Sequence, residues 1–327
     1  MGERRRVLLT GATGFVGSRL FPVLQAQGYE VVGGTRDVEA ARRKFPGKEF
    51  VQLDITDGKS VREALQHCSA AVYLVHSMAT GHDYERIERD SAQTFRSAAA
   101  DAHLERIVYL GGMPPKGKPS RHLRSRMTTG EILRGGSVPT IELQATMVIG
   151  SGSESFRMVR DLAARLPVML LPKWAESITE PIALDDVTFA LAYAVHYAPA
   201  VSRAYPLPGP EKMTARDILG RTAGLMGRHV RMFGVPVITP KLSSYWIRFV
   251  TRGNHHVTDE LVEGLRSDII APDLGFWKLC PEHERQSFDH AARKALNDEE
   301  SGLSTGALLI ETAIDRFSPK RQPGRSS

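Results

Sequence analysis

Hydrophobic positions along this chain fall into two patterns that alternate. Short, nearly unbroken apolar runs occur at Val7–Leu9, Tyr29–Val32, Phe50–Leu53, Ala70–Val75, Arg106–Leu110 and Val138–Leu143. Runs of this length, rich in β-branched residues and apolar on consecutive positions, read as strands buried on both faces. Between them apolar residues recur every three or four positions, at Phe15, Val16, Leu20, Val23 and Leu24, at Val61 to Leu65, and from Tyr84 to His103. That spacing puts them on one face of a helix. Strand and helix in strict succession predict an α/β fold with a doubly wound parallel sheet and right-handed crossovers.

Past residue 150 the pattern changes. Phe156, Val159, Leu162, Ala163 and Leu166 form a helical stripe, followed by the apolar Leu166–Trp174 stretch. Asp185-Asp186-Val187 opens a helix through Val195, Tyr205–Leu207 is a further strand, and Thr214-Ala215-Arg216-Asp217 carries a capping-box spacing. Val235–Val250 is apolar but interrupted by Pro236 and Pro240, Glu260–Asp268 and Phe288–Leu296 read as helices, and residues 318–327 lack apolar side chains and read as a disordered tail. The expected organisation is a dinucleotide-binding domain over 1–150 with a return segment at 181–208, and a smaller C-terminal α/β lobe over 151–180 and 209–317.

The first strand runs into Thr10-Gly11-Ala12-Thr13-Gly14-Phe15-Val16-Gly17. Glycines spaced three apart between a strand and a helix fit a Rossmann phosphate turn. Gly11 takes the tight turn, Gly14 admits a pyrophosphate, Gly17 lets helix and strand close up, and the free N–H groups of the helix start face the anion. After the second strand Arg36 stands where a carboxylate would hold NAD ribose hydroxyls, so NADP is favoured, while the nearby Asp37 keeps NAD open. Asp54 and Ile55 end the third strand and suit an adenine contact; a plain turn is the alternative for Asp54. Val75, His76 and Ser77 end the fourth strand, where ligands bind in such sheets, or else simply cap it.

With 327 residues, 42% hydrophobic and 24% charged, the chain has the composition of a globular protein with a sizeable core. A net charge of +6 suits an anionic ligand, a protein partner or a peripheral membrane surface, and no zinc finger, basic zipper or aromatic RNA motif points to nucleic acid. Cys68 and Cys280 have no metal-like spacing, and the start Met1–Arg6 leads straight into a strand without a leader pattern, so the expected compartment is cytoplasmic.

The glycine turn, the Asp54-Ile55 pair, Val75-His76-Ser77-Met78 and Pro181–Val187 together resemble an atypical or extended short-chain dehydrogenase/reductase. Tyr109–Gly112, His122–Arg126, Val148–Ser153 and Thr239–Ser244 narrow the resemblance to bacterial NAD(P)H-binding proteins grouped with NmrA-like proteins and the complex I subunit-9-like proteins. The resemblance implies NAD(P)H and an apolar carbonyl or enone as small-molecule substrate. It also implies a Tyr-x-x-x-Lys pair after the fifth strand, and the stretch here is His122-x-x-x-Arg126. By that alignment His122 is the candidate acid, with a solvated histidine as the alternative, and Arg126 is a candidate ribose clamp that stays charged. Gly111-Gly112 replaces the usual serine. A non-catalytic redox-sensing or assembly protein is the second functional class.

Overall fold

The computed structural model describes residues 5–76, 83–197, 201–235 and 267–302, apart from the side chains of 173, 174 and 300–302. Ser77, the interrupted 236–250 stretch, most of the 260–268 helix and the tail lie outside the described residues.

Seven strands form one all-parallel sheet: β1 (Arg6–Thr10), β2 (Glu30–Thr35), β3 (Glu49–Gln52), β4 (Ala70–Tyr73), β5 (Arg106–Gly112), β6 (Thr140–Ala145) and, after three short outlying strands and a longer one, β11 (Arg203–Leu207). Their order is β11-β6-β5-β4-β1-β2-β3. Consecutive residues of each strand serve opposite faces, as the pleat requires. Val7 and Leu9 pack with Leu20, Val187 and Leu191 on one side, while Leu8 packs with Val61, Tyr73 and Phe95 on the other. The near-continuous apolar runs are therefore explained by a sheet covered on both faces.

Helices α1 (Phe15–Ala26), α2 (Val38–Lys44), α3 (Gly58–Leu65), α4 (Tyr84–Asp101), α5 (Arg121–Arg134), α6 (Glu154–Arg165), α7 (Leu184–His196), α8 (Ala215–Leu225) and α9 (Phe288–Gly302) supply the covering layers and the lobe. Two of them, α2 and α5, carry little apolar periodicity. Each is set instead by its N-cap: the Asp37 carboxylate accepts from Ala40 N at 2.8 Å, and the Ser120 hydroxyl from Leu123 N at 3.3 Å. The α8 start has the capping box expected of Thr214 and Asp217. Helix α4 stops at Asp101, two residues short of the expected end, where His103 turns to φ +53°. The fourth strand likewise ends at Tyr73, because Leu74 N leaves the ladder to donate to Thr10 Oγ1 at 2.9 Å.

A second hydrophobic core joins α6, α8 and α9 through Phe156, Leu162, Ile218, Leu219, Phe288 and Ala292. Part of the Leu166–Trp174 stretch becomes β8 (Val168–Pro172), paired in parallel with β13 (Arg231–Val235). The short pairs β7 (Val148–Ile149) with β10 (Ile182–Ala183) and β9 (Ile178–Thr179) with β12 (Met213–Thr214) connect this core to the sheet. Cys68 and Cys280 are both free and buried.

Candidate functional site

The sheet order reverses direction between β1 and β4, so the chain leaves these neighbouring strands toward opposite faces and opens a crevice at their C-terminal ends. The Thr10 hydroxyl bridges the two strand ends at that point. Gly11 follows with φ +63°, a conformation costly for any residue with a Cβ, and its carbonyl accepts from Gly14 N at 3.0 Å to close the turn. A Cβ on Gly17 would lie 2.3 Å from Gly11 O, so only glycine lets α1 start this close to the strand. Gly14, exposed and extended, is the N-cap of α1; no side chain caps this end and no acid occupies its first turn. The N–H groups of the first turn, with the positive end of the helix dipole, thus open onto the crevice, an anion receptor of pyrophosphate character. Thr13 and Val16 flank it half-buried, and Phe15 packs toward the 150–152 loop.

At the end of β2, Arg36 is exposed, and Asp37, the competing acid, is engaged in capping α2. Asp54 makes an Asx turn instead of an open contact, its Oδ1 accepting from Thr56 N at 2.9 Å and Thr56 Oγ1 at 2.7 Å. Those bonds hold its carboxyl below the usual range. Ile55, read from sequence as an adenine face, turns inward and is 7% exposed within the core beside Val61 and Phe95.

The ends of β4 and β5 and the start of α5 bring His76, His122 and Arg126 together, with Val75 half-buried beside them. The rings of His76 and His122 meet edge to face with centroids 6.3 Å apart. The Arg126 guanidinium is anchored by Nη2 donating to Leu110 O at 2.6 Å, and its main-chain carbonyl accepts from Tyr109 Oη at 3.0 Å. Burial and then Arg126 depress His122 to about 3. An imidazole so placed is neutral at pH 7, and an acid role for His122 requires bound ligand to raise its pKa. His76 reaches the cleft surface and is solvent-accessible, yet protein stands densely around it. That surround, then Arg126 and His122, hold it well below the usual imidazole range as well.

Sequence reasoning missed Glu142. Its side chain is 1% exposed, salt-bridged to Arg134 Nε at 2.7 Å and bonded to Gln144, and burial raises its carboxyl. A Cβ on Gly111 would lie 2.4 Å from its Oε1, so the bare glycine at this position has a local steric reason. The only signal was a charged residue in an apolar strand.

Comparison with known proteins agrees with this geometry. Residues 7–130 match the family model described as NAD dependent epimerase/dehydratase family. The match spans 124 of the 327 residues, the part of the chain that carries the glycine turn. The chain is 22% identical over 277 residues to NADH dehydrogenase [ubiquinone] 1 alpha subcomplex subunit 9, mitochondrial, of Rattus norvegicus, covering 81% of this chain and 72% of that protein. Over 116 residues it is 27% identical to cinnamoyl-CoA reductase 1 of rice, covering 33% of this chain and 34% of that enzyme. The Citrobacter sp. triphenylmethane reductase complexed with NADP(H) superposes with a TM-score of 0.70 at 17% identity, covering 89% of this chain and 99% of that one. No helix among the described residues is long and apolar enough to cross a membrane.

Proposed function

We propose that the chain is an NADP(H)-dependent oxidoreductase of the short-chain dehydrogenase/reductase type acting on an unsaturated or carbonyl compound. The observation that carries this reading is the uncapped, acid-free N-terminus of α1 at the strand-order reversal, reached through the left-handed Gly11 turn. In this reading Gly11, Thr13, Gly14, Phe15, Val16 and Gly17 hold the pyrophosphate, Arg36 takes the 2′-phosphate, and Asp54 borders the adenosine end. Val75 and His76 form the floor, with Ser77 following in sequence. Arg126 reaches toward the nicotinamide ribose. When bound, the dinucleotide would supply hydride; the protein's part is to hold it and to exclude water. The triphenylmethane reductase carries NADP(H) on the same fold, which supports the cofactor choice. Calorimetric titration of NADPH and NADH tests it, followed by NADPH oxidation across a panel of carbonyls and enones. Failure to bind either nucleotide would refute the assignment.

A second reading, a nucleotide-binding protein without turnover, is favoured by the replacement of Tyr-x-x-x-Lys by His122 and Arg126 and by the neutrality of His122. The similar rat protein is a subunit of NADH dehydrogenase by name, which supports an assembly role with protein partners. Tight NADPH binding with no oxidation across the panel would select this second reading.

A further inference from the structure

Among the described residues five large apolar side chains stand well out in water: Val168, Leu170, Val201, Phe233 and Leu274. Val201 and Leu274 sit singly in loops, as scattered surface apolar residues commonly do. The other three share one face of the β8–β13 ribbon. The two strands run parallel, with Val168 beside Arg231, Leu170 beside Phe233 and Pro172 beside Val235. Alternation along each strand sends Met169, Leu171 and Met232 into the lobe core and leaves Val168, Leu170 and Phe233 outside, 44%, 55% and 54% exposed. Arg231 is exposed on that same outer face. The charge carried by the surrounding sequence has one sign. No Asp or Glu occurs between Asp161 and Glu176, the stretch that contains β8, or between Asp217 and Asp259, the stretch that contains β13. The first holds Arg165 and Lys173, and the second Arg228, Arg231 and Lys241 among its basic residues. The bordering acids are engaged: Asp161 by Arg160 Nη2 at 2.7 Å, Glu176 by Arg216 Nε at 2.7 Å, and Asp217 in the α8 capping box.

We propose that this face seats the lobe on an anionic lipid surface, with Val168, Leu170 and Phe233 entering between the headgroups and Arg231 meeting lipid phosphates. No residue of the crevice takes part, so the inference stands apart from the oxidoreductase reading. An apolar face by itself would also suit a second copy of the chain, and the charge decides between the two. A second copy packed face to face would bring two Arg231 side chains and two acid-free stretches together, which repel, whereas an anionic surface attracts both. Each basic residue close to such a surface adds about five-fold in affinity, and each half-exposed apolar side chain of this size a similar factor. Together they give an association that is reversible and weakened by salt. Attachment of this kind lies on a membrane and needs no helix that crosses it.

The test is sedimentation of the full chain with sucrose-loaded vesicles of pure phosphatidylcholine, or of phosphatidylcholine with about 30% phosphatidylglycerol, at roughly 0.1 and 0.5 M NaCl. Wild type should pellet with the anionic vesicles at low salt, and about five-fold less or weaker still with neutral vesicles or at high salt. Leu170→Ser combined with Phe233→Ser should weaken anionic-vesicle binding about ten-fold or more at an unchanged urea midpoint, because both side chains already stand largely in water. Arg231→Gln should weaken it about five-fold and flatten the salt dependence. Val201→Ser removes a more exposed apolar side chain from a loop elsewhere and should change nothing. Should the double variant lose its fold, Val168→Ser and Arg231→Gln decide on the same criterion. No pelleting with anionic vesicles, equal pelleting with both kinds, or variants of this face that bind like wild type overturns the proposal. So does a dimer in sedimentation velocity that the double variant dissociates, which would give the face to a second copy.

Discussion

The neutral His122 makes stability depend on pH in a way that can be computed. Its imidazole lies at about 3 in the folded protein against an ordinary value of 6.5. The unfolded chain therefore binds a proton between these values that the folded chain refuses, and stability falls as pH drops below 6.5. The whole gap corresponds to about 5 kcal/mol, reached only near pH 3; at pH 5 the linkage integral gives about 2 kcal/mol. Because the ring is partly accessible, screening reduces this to about 1–2 kcal/mol. Depressed carboxyls such as Asp54 and Asp185 add acid sensitivity of the same sign, while the raised Glu142 and Asp186 oppose it, so wild type alone is not diagnostic. The difference from His122→Gln is. Urea denaturation followed by tryptophan fluorescence at pH 7.5 and 5 should show the variant losing about 1–2 kcal/mol less than wild type. Equal losses in both proteins would mean that His122 is not held neutral, and would restore it as a candidate acid.

Further outcomes follow from other parts of the cleft and its supports. Gly14→Asp should abolish NADPH binding while leaving circular dichroism unchanged, since a carboxylate would face the anion receptor at the α1 start; wild-type affinity would remove the glycine-turn assignment. Arg36→Ala should weaken NADPH by about 1.5–3 kcal/mol and NADH little, measured by parallel titrations; equal losses would show that Arg36 does not select the phosphate. The His283 ring stacks on Phe189 with centroids 3.9 Å apart and bonds Asp186 Oδ1 at 2.8 Å, and Gln286 N donates to Asp186 Oδ2 at 2.9 Å. Asp186→Ala should therefore cost about 3–5 kcal/mol, lowering the urea midpoint, because it strips a fully buried acid from two donors; a loss under about 1 kcal/mol would assign the C-terminal segment's attachment to its apolar contacts.

The alternation of apolar runs with helical stripes was sufficient, from sequence alone, to specify a covered parallel sheet, because a strand buried on both faces must be apolar at consecutive positions. The glycine turn was legible for a similar reason: Gly11 and Gly17 answer to local backbone constraints, a positive φ and a contact between adjacent elements. What sequence left open depends on contacts between residues far apart in the chain. Asp54 and Ile55 were adjacent candidates, and only the packing decided that Ile55 joins Val61 and Phe95 while Asp54 folds back on Thr56. The resemblance to a Tyr-x-x-x-Lys pair made His122 a candidate proton donor, since imidazole in water titrates near neutrality. Burial of that ring and the nearby guanidinium keep it neutral, and it took the fold to bring His76, 46 positions earlier, to the same floor. Protonation is set by desolvation and neighbouring charge, and both are properties of the assembled structure.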